Sequence, residues 1–270
     1  MNKANSNNTV FLTVAAFHDY EKKTRVFRES AKKHNVPVVF CDLGVSWHGF
    51  FTHKVLNMKK RLEILKQSGT KYVFVLDCRD VVFIEDIQII FDKFNSINNG
   101  KAIFNLDHNS KIWPSHSDWM LKEMQNAIKN EYAFLNAGMI ASHIDTLLTI
   151  QAHIINIRDE LNSGLPRRGV ASRFHNEYGN LHLNDDQNLY QICMTYYPEL
   201  FQIDIERNLF TILLHYPASV NEVSNDYSRY DSIGNAAIIH SPWLARHSLW
   251  LDWYRLNKWD RNNNTNTVNQ

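Results

Sequence analysis

Asp77 and Asp80 stand three residues apart, directly after the apolar run Tyr72-Val73-Phe74-Val75-Leu76. Carboxylates held that close in one turn repel each other and lose hydration, at a cost of about a few kcal/mol unless a cation or hydrogen-bond donors offset it. A hard divalent ion is the natural partner. The structural alternative is that Asp77 caps the following turn and Asp80 is solvated. His240 closes a second apolar run, Ala236 to Ile239, and precedes Ser241-Pro242-Trp243. Alone, a histidine there is more often a satisfied structural residue than a ligand. Beside the two aspartates it would complete half an octahedron around Mn2+ or Mg2+, leaving the other positions for a diphosphate and water, and the nitrogen ligand tilts the choice toward Mn2+.

Two further groups of residues can do chemistry. Asn184-Asp185-Asp186-Gln187 opens a helical pattern, where Asn and Asp serve as N-caps and acids favour the first turn. One of the two carboxylates is then free to hold a sugar hydroxyl or act as a base. Phe134-Leu135-Asn136-Ala137-Gly138 sets a small amide and two small residues in an apolar strand, as close approach of a ligand or a simple strand irregularity would require.

The elements that must position these groups alternate. The run at 72–76 has no polar alternation and suits a strand covered on both faces of an α/β sheet, where ligands bind beyond the carboxyl ends of the strands. Residues 9–16 read as a first strand, 19–34 as a helix opening at Asp19, and Val36 to Cys41 as a second strand. Thr52 can cap a helix running to Lys66, which Gly69 stops. Further strands are expected at 102–106 and 134–141, with helices at about 118–129, 143–160 and 186–195. The pattern predicts an α/β fold with a mostly parallel central sheet flanked by helices, in a single domain over residues 9–260.

Residues 162–184, with Arg167, Arg168 and Arg173, break the rhythm and read as a mobile lid, a binding loop or a disordered excursion. The polar ends, 1–8 and 261–270, read as disordered. Residues 243–259 combine Leu249, Trp250, Leu251, Trp253 and Leu256 with Arg246, Arg255 and Lys258. Such a helix packs Trp250 and Trp253 on the domain, the preferred reading, or lies on a membrane surface. A net charge of +1 gives no electrostatic reason to expect nucleic acid as the partner. Three widely spaced cysteines, Cys41, Cys78 and Cys193, suit a reducing compartment. With no apolar run near the ~20 residues of a membrane span, a cytoplasmic protein is expected, peripheral at the membrane if 243–259 makes that contact.

The order of several segments resembles the glycosyltransferase domain of the procollagen lysyl hydroxylases and its bacterial and viral relatives, which has the Rossmann-like GT-A fold. The segments are Leu12-Thr13-Val14-Ala15, Leu43-Gly44-Val45-Ser46-Trp47-His48-Gly49, His53-Lys54-Val55, Leu76-Asp77-Cys78-Arg79-Asp80-Val81, Ile112-Trp113-Pro114, Phe134 to Gly138, Asn184 to Gln187 and Ile239-His240. The resemblance implies that Asp77, Asp80 and His240 hold manganese, that Thr13 and Trp47 contact the uridine of a UDP-sugar, and that Lys54 lies close to the donor pocket. It also implies that Trp113, Asp185 and Asp186 surround the transferred sugar and the acceptor. The animal enzymes have an aromatic residue between the two metal aspartates, where this chain has Cys78 and Arg79.

The expectation is a metal-dependent transferase moving a hexose from a UDP-sugar to a glycan or protein hydroxyl, with Asn136 and Asp186 orienting sugar hydroxyls. A second reading is a non-catalytic nucleotide-sugar or glycan-binding protein of the same fold. A third, a haloacid-dehalogenase-like phosphatase, needs its second aspartate two residues after the first, where Arg79 stands.

Overall fold

The computed structural model describes residues 3–107, 118–131, 134–163, 172, 173, 176, 184–212 and 235–240. A six-stranded sheet carries the strands in the order β2 (Val38–Cys41), β1 (Thr9–Val14), β3 (Tyr72–Leu76), β6 (Leu135–His143), β5 (Ala102–Leu106) and β7 (Phe201–Asp204). β1 pairs in parallel with both β2 and β3, β5 pairs in parallel with β7, and β6 runs antiparallel between β3 and β5. All strands but β6 therefore share one direction, and the mostly parallel α/β sheet expected from the alternation is the observed one. The uniform apolar character of β3 has its cause here, since all five of its residues, like all five of β5, are buried between two helical layers.

One face is covered by α3 (Met58–Gln67), α6 (Ile144–Asn162) and α7 (Asp186–Tyr196), whose Leu62, Ile154 and Leu189 join Val73, Phe104 and Ile140 in one core. The other face is covered by α2 (Arg25–Lys33) and α4 (Ile87–Ile97), whose Phe27, Phe91 and Phe94 join Phe11 and Phe74. The Phe11 and Phe74 rings stack at 4.5 Å. Each buried phenylalanine of this kind contributes roughly 1.5–3 kcal/mol. A small second sheet, β4 (Val81–Phe83), β9 (Ile238–His240) and β8 (Phe210–Ile212), belongs to the same core and brings the far end of the sequence back to the end of β3.

Several expectations change. The helix read over 19–34 is two helices, α1 (Tyr20–Lys23) and α2, because Thr24 turns its hydroxyl back onto the Tyr20 carbonyl (2.7 Å). Thr52 caps nothing: it lies inside a π-helical segment, Phe51–Asn57, that runs straight into α3. Residues 3–8 of the polar start are held, since the Asn95 side chain bonds both the N–H (2.8 Å) and the carbonyl (3.0 Å) of buried Ala4. The Asn8 carbonyl also accepts from the N–H groups of Lys71 and Tyr72. α5 (Asp118–Ile128) lies where a helix was expected. Most of the 162–184 segment, the helix read over 243–259 and the tail at 261–270 lie outside the described residues. Among the described residues, no helix is long and apolar enough to cross a membrane.

Candidate functional site

The ladder between β3 and β6 continues one step beyond Leu76, because the Asp77 N–H donates to the Gly138 carbonyl at 2.8 Å. That bond fixes the start of the acidic turn. β4 follows at once, and its antiparallel pairing sets Val81 opposite His240, which brings the imidazole beside Asp80. Asp77, Asp80 and His240 each offer one ligand atom, and the three atoms lie within 4.8 Å of one another. His240 is 3% exposed, its Nε2 lies 3.4 Å from Asp80 Oδ2, and neither ring nitrogen completes a hydrogen bond among the described residues. An unsatisfied buried polar group costs about 1–3 kcal/mol, which a cation shared with the two carboxylates would relieve. Two carboxylate oxygens and one imidazole nitrogen fit a divalent ion such as Mn2+.

Gly138 is glycine for a steric reason. A Cβ there would sit 2.4 Å from His240 Cε1 and 2.9 Å from both His240 Nδ1 and Asn136 Oδ1. The close approach expected at this glycine is therefore made by the protein's own imidazole. Asn136 is engaged as well, its carbonyl accepting from the Gly138 N–H (2.8 Å) and its amide donating to Gln187 (3.2 Å), which in turn donates to Asp107 (3.3 Å). This chain ties β6 to α7 and keeps Gly138 in register with the acidic turn.

Lys54 projects from the π-helical segment, a departure from α geometry that recurs at functional sites. Its ammonium lies 2.6 Å from Asp77 Oδ1 and 3.2 Å from Asp186 Oδ2, on a side chain 14% exposed. Gln151 of α6 anchors the segment by donating to the Lys54 carbonyl (3.2 Å) and the Tyr190 hydroxyl (2.9 Å). The two acids at the start of α7 divide the work. Asp185 is the N-cap, accepting from the Asn188 N–H at 3.2 Å, whereas buried Asp186 faces Lys54.

The electrostatics follow from burial set against pairing. Burial alone would push the Lys54 ammonium toward neutrality, but Asp186 and Asp77 outweigh it and hold its pKa above the usual lysine range. Burial raises the Asp186 carboxyl, with Lys54 opposing, and Asp185 is pushed up to about 6 by burial and by the neighbouring Asp186 charge. Burial likewise works against the charged forms of Asp80 and His240, yet their mutual attraction wins, lowering the carboxyl and raising the imidazole. Asp77 and Asp186 thus converge on one ammonium, while Asp80 faces the imidazole.

The remaining predicted residues are spread around this centre. Thr13, near the carboxyl end of β1, is fully covered beside the Cys78 thiol. Trp47 is 43% exposed in the loop after β2. Cys78 is buried between the two aspartates, its thiol donating to the Val14 carbonyl (3.1 Å) and pushed up to about 12 by burial, so it is held as an unreactive thiol. Trp113 lies outside the described residues. The sequence reading missed Asp42 and Asn57 and gave His53 no role, yet these residues form one hydrogen-bonded group beneath Trp47. The available signal was His53 immediately before Lys54.

Residues 5–162, more than half of the 270, match the family model of the PLOD GT domain. No curated protein matches the chain. Among solved structures, the chain is similar to the crystal structure of a glycosyltransferase involved in the glycosylation of the major capsid of PBCV-1. The identity is 12% and the TM-score 0.43, over 93% of this chain and 100% of that one.

Proposed function

The chain belongs to the PLOD GT domain family, and from that premise we propose that it is a metal-dependent, cytoplasmic glycosyltransferase that moves a hexose from a UDP-sugar to a glycan or protein hydroxyl. The observation that supports this reading is the convergence of Asp77, Asp80 and His240 at the carboxyl end of β3, the buried imidazole completing no hydrogen bond among the described residues. Asp77, Asp80 and His240 would hold Mn2+, or Mg2+ in its place, which supplies Lewis-acid stabilisation of the charge that develops on a departing diphosphate.

The chain's own residues do the rest. Lys54 brings a second, fixed positive charge, held in place by Asp77 and Asp186. Trp47 offers an exposed aromatic face for the nucleoside, and Thr13, fully covered at the end of β1, would support that pocket from beneath. Asp186 and the remaining capacity of the Asn136 amide would orient sugar hydroxyls, and Asp185 fixes the helix that carries Asp186.

A donor-hydrolysis screen of UDP- and GDP-sugars, with and without Mn2+, tests the reading. Release of UDP is expected only with metal, and Asp77→Ala should abolish it and remove the effect of Mn2+ on UDP affinity. Turnover at the wild-type rate in Asp77→Ala sinks the assignment. Metal-dependent UDP binding without turnover of any donor would assign the binding-only alternative.

A further inference from the structure

Four of the large apolar side chains left exposed among the described residues, Leu43, Val45, Trp47 and Phe50, fall in the loop between β2 and the π-helical segment. A loop whose large side chains face outward gets little of its shape from apolar packing. Left-handed backbone at Asp42 (φ 58°), Gly44 (φ 72°) and Gly49 (φ 97°) folds it tightly but gives no tie to the domain. Besides the His53 N–H bond to the Gly49 carbonyl (3.3 Å) and the Lys54 ammonium over the Phe50 ring (5.3 Å), its ties among the described residues run through one buried side chain, His53, 1% exposed.

The imidazole holds the loop at three points. Its Nε2 accepts from the His48 N–H at 3.0 Å, so that nitrogen carries no proton and Nδ1 carries the hydrogen that goes to the Asp42 carboxylate. Asn57, one helical turn on, donates to the same carboxylate oxygen at 3.0 Å. The ring face stacks on Trp47, with centroids 4.9 Å apart and planes 15° from parallel. Asp42 opens the loop and His48 lies near its end, so one side chain pins both ends and the indole between them. His53 also precedes Lys54 in the same segment, which links the position of Trp47 to that of the ammonium.

We propose that His53 is a positioning residue. It latches the 42–50 loop so that Trp47 is already in place for the nucleoside end of the donor, and this rests on the donor reading above. Without the latch the loop must be ordered on binding, which weakens nucleotide affinity and leaves the metal ligands untouched.

Three measurements on the full chain test it: backbone amide exchange at His48, UDP affinity in the presence of Mn2+, and Mn2+ affinity alone. The His48 side chain is exposed, so protection of its N–H reports the bond to His53. In His53→Phe, which keeps a ring but no acceptor, His48 exchange should accelerate by on the order of tenfold. UDP affinity and the KM for donor should worsen by about three- to tenfold, more than kcat falls, with Mn2+ binding unchanged. His53→Gln, whose amide oxygen can reach the Nε2 position, should recover His48 protection and part of the affinity. Should His53→Phe fail to fold, Asp42→Ala releases the other end of the latch and should show the same pattern. Unchanged His48 exchange overturns the proposal, as does faster exchange with wild-type UDP affinity. A wild-type chain that binds no nucleotide refutes the donor reading instead, while the His48 amide still decides whether His53 holds the loop.

Discussion

Both ends of β3 bring a lysine, an aspartate and a histidine together, and only one end has the makings of a reactive site. At the amino end Lys66 pairs with Asp145 at 2.7 Å, and His143 Nδ1 lies 3.6 Å from the same carboxylate, beside a cavity of about 580 Å3 lined by Thr70, Lys71 and Gly100. At the carboxyl end Lys54 pairs with Asp77 at 2.6 Å, with His240 close by. The distances are alike, but Lys66 and Asp145 are 55% and 53% exposed, against 14% for Lys54 and 29% for Asp77. Water weakens the first pair by its dielectric response, whereas the second acts through a poorly screening medium. The histidines differ in the same sense. His143 spends Nδ1 on the Asp145 N–H (3.3 Å) as the cap of α6, whereas the buried His240 ring faces Asp80 at 3.4 Å and completes no hydrogen bond among the described residues. Burial and unsatisfied valence, not the presence of a cavity, single out the carboxyl end as the candidate site.

If burial gives the carboxyl end its power, removing its buried charge should have the largest effect. Lys54→Met is expected to lower kcat/KM by about 10²–10³, the usual result of deleting one group that stabilises developing charge. It should also tighten Mn2+ binding by a few-fold in calorimetry, because an ammonium 2.6 Å from Asp77 opposes a second cation at that carboxylate. Weaker metal binding in this variant would mean that Lys54 organises the ligands more than it competes with the ion, and the contrast between the two ends would need a different basis.

Gly138→Ala comes next and leaves every charge in place. The new methyl meets the His240 ring at 2.4 Å, so the imidazole must move by about an ångström or the strand must shift. A displacement of that size costs on the order of 10²-fold in turnover, with roughly 1–3 kcal/mol of stability lost to overpacking. Thermal melts and Mn2+ titration separate the two effects. Wild-type metal affinity in a stably folded Gly138→Ala chain would show that the imidazole is not a ligand.

These predictions show where the sequence was informative. β3 and β5 were legible at nearly their observed limits because each is buried on both faces, and the acidic pair was legible because it ends the first of them. β4, β7 and β8 were not, since three or four residues carry too little periodicity and their strand character comes from their partners. The place of His240 beside Asp80 is a property of register, Val81 against His240, which no local pattern encodes. At Gly138 the need for space was readable, but the occupant was not.

A smaller effect concerns Asp185, whose folded pKa of about 6 exceeds the ordinary aspartate value of 3.8. The folded chain holds this proton more tightly than the unfolded one, so its contribution to stability is complete below pH 4 and is lost as the pH rises through 6. The lowered pKa of Asp80 acts with the opposite sign and below that window, because its stabilisation disappears as the pH falls under the ordinary value. The melting temperature should therefore decline by about 2–4 °C between pH 4 and 6 through this group, and Asp185→Asn should flatten that part of the profile. An unchanged slope in Asp185→Asn would assign the titration to Asp186, its partner in the pair.

The smallest effect is expected at the amino end, and there the comparison is most easily broken. Lys66→Ala removes an ion pair more than half exposed on both sides, so it should cost roughly 0.5 kcal/mol or less and fade as salt is added. His143 would still cap α6 through its bond from the Asp145 N–H, and neither residue touches the acidic turn. Donor turnover and Mn2+ affinity should therefore match the wild type. A loss of turnover in Lys66→Ala at unchanged melting temperature would mean that the amino-end cavity takes part in the reaction, for example by receiving an acceptor. Burial would then have failed as the criterion separating the two ends of β3.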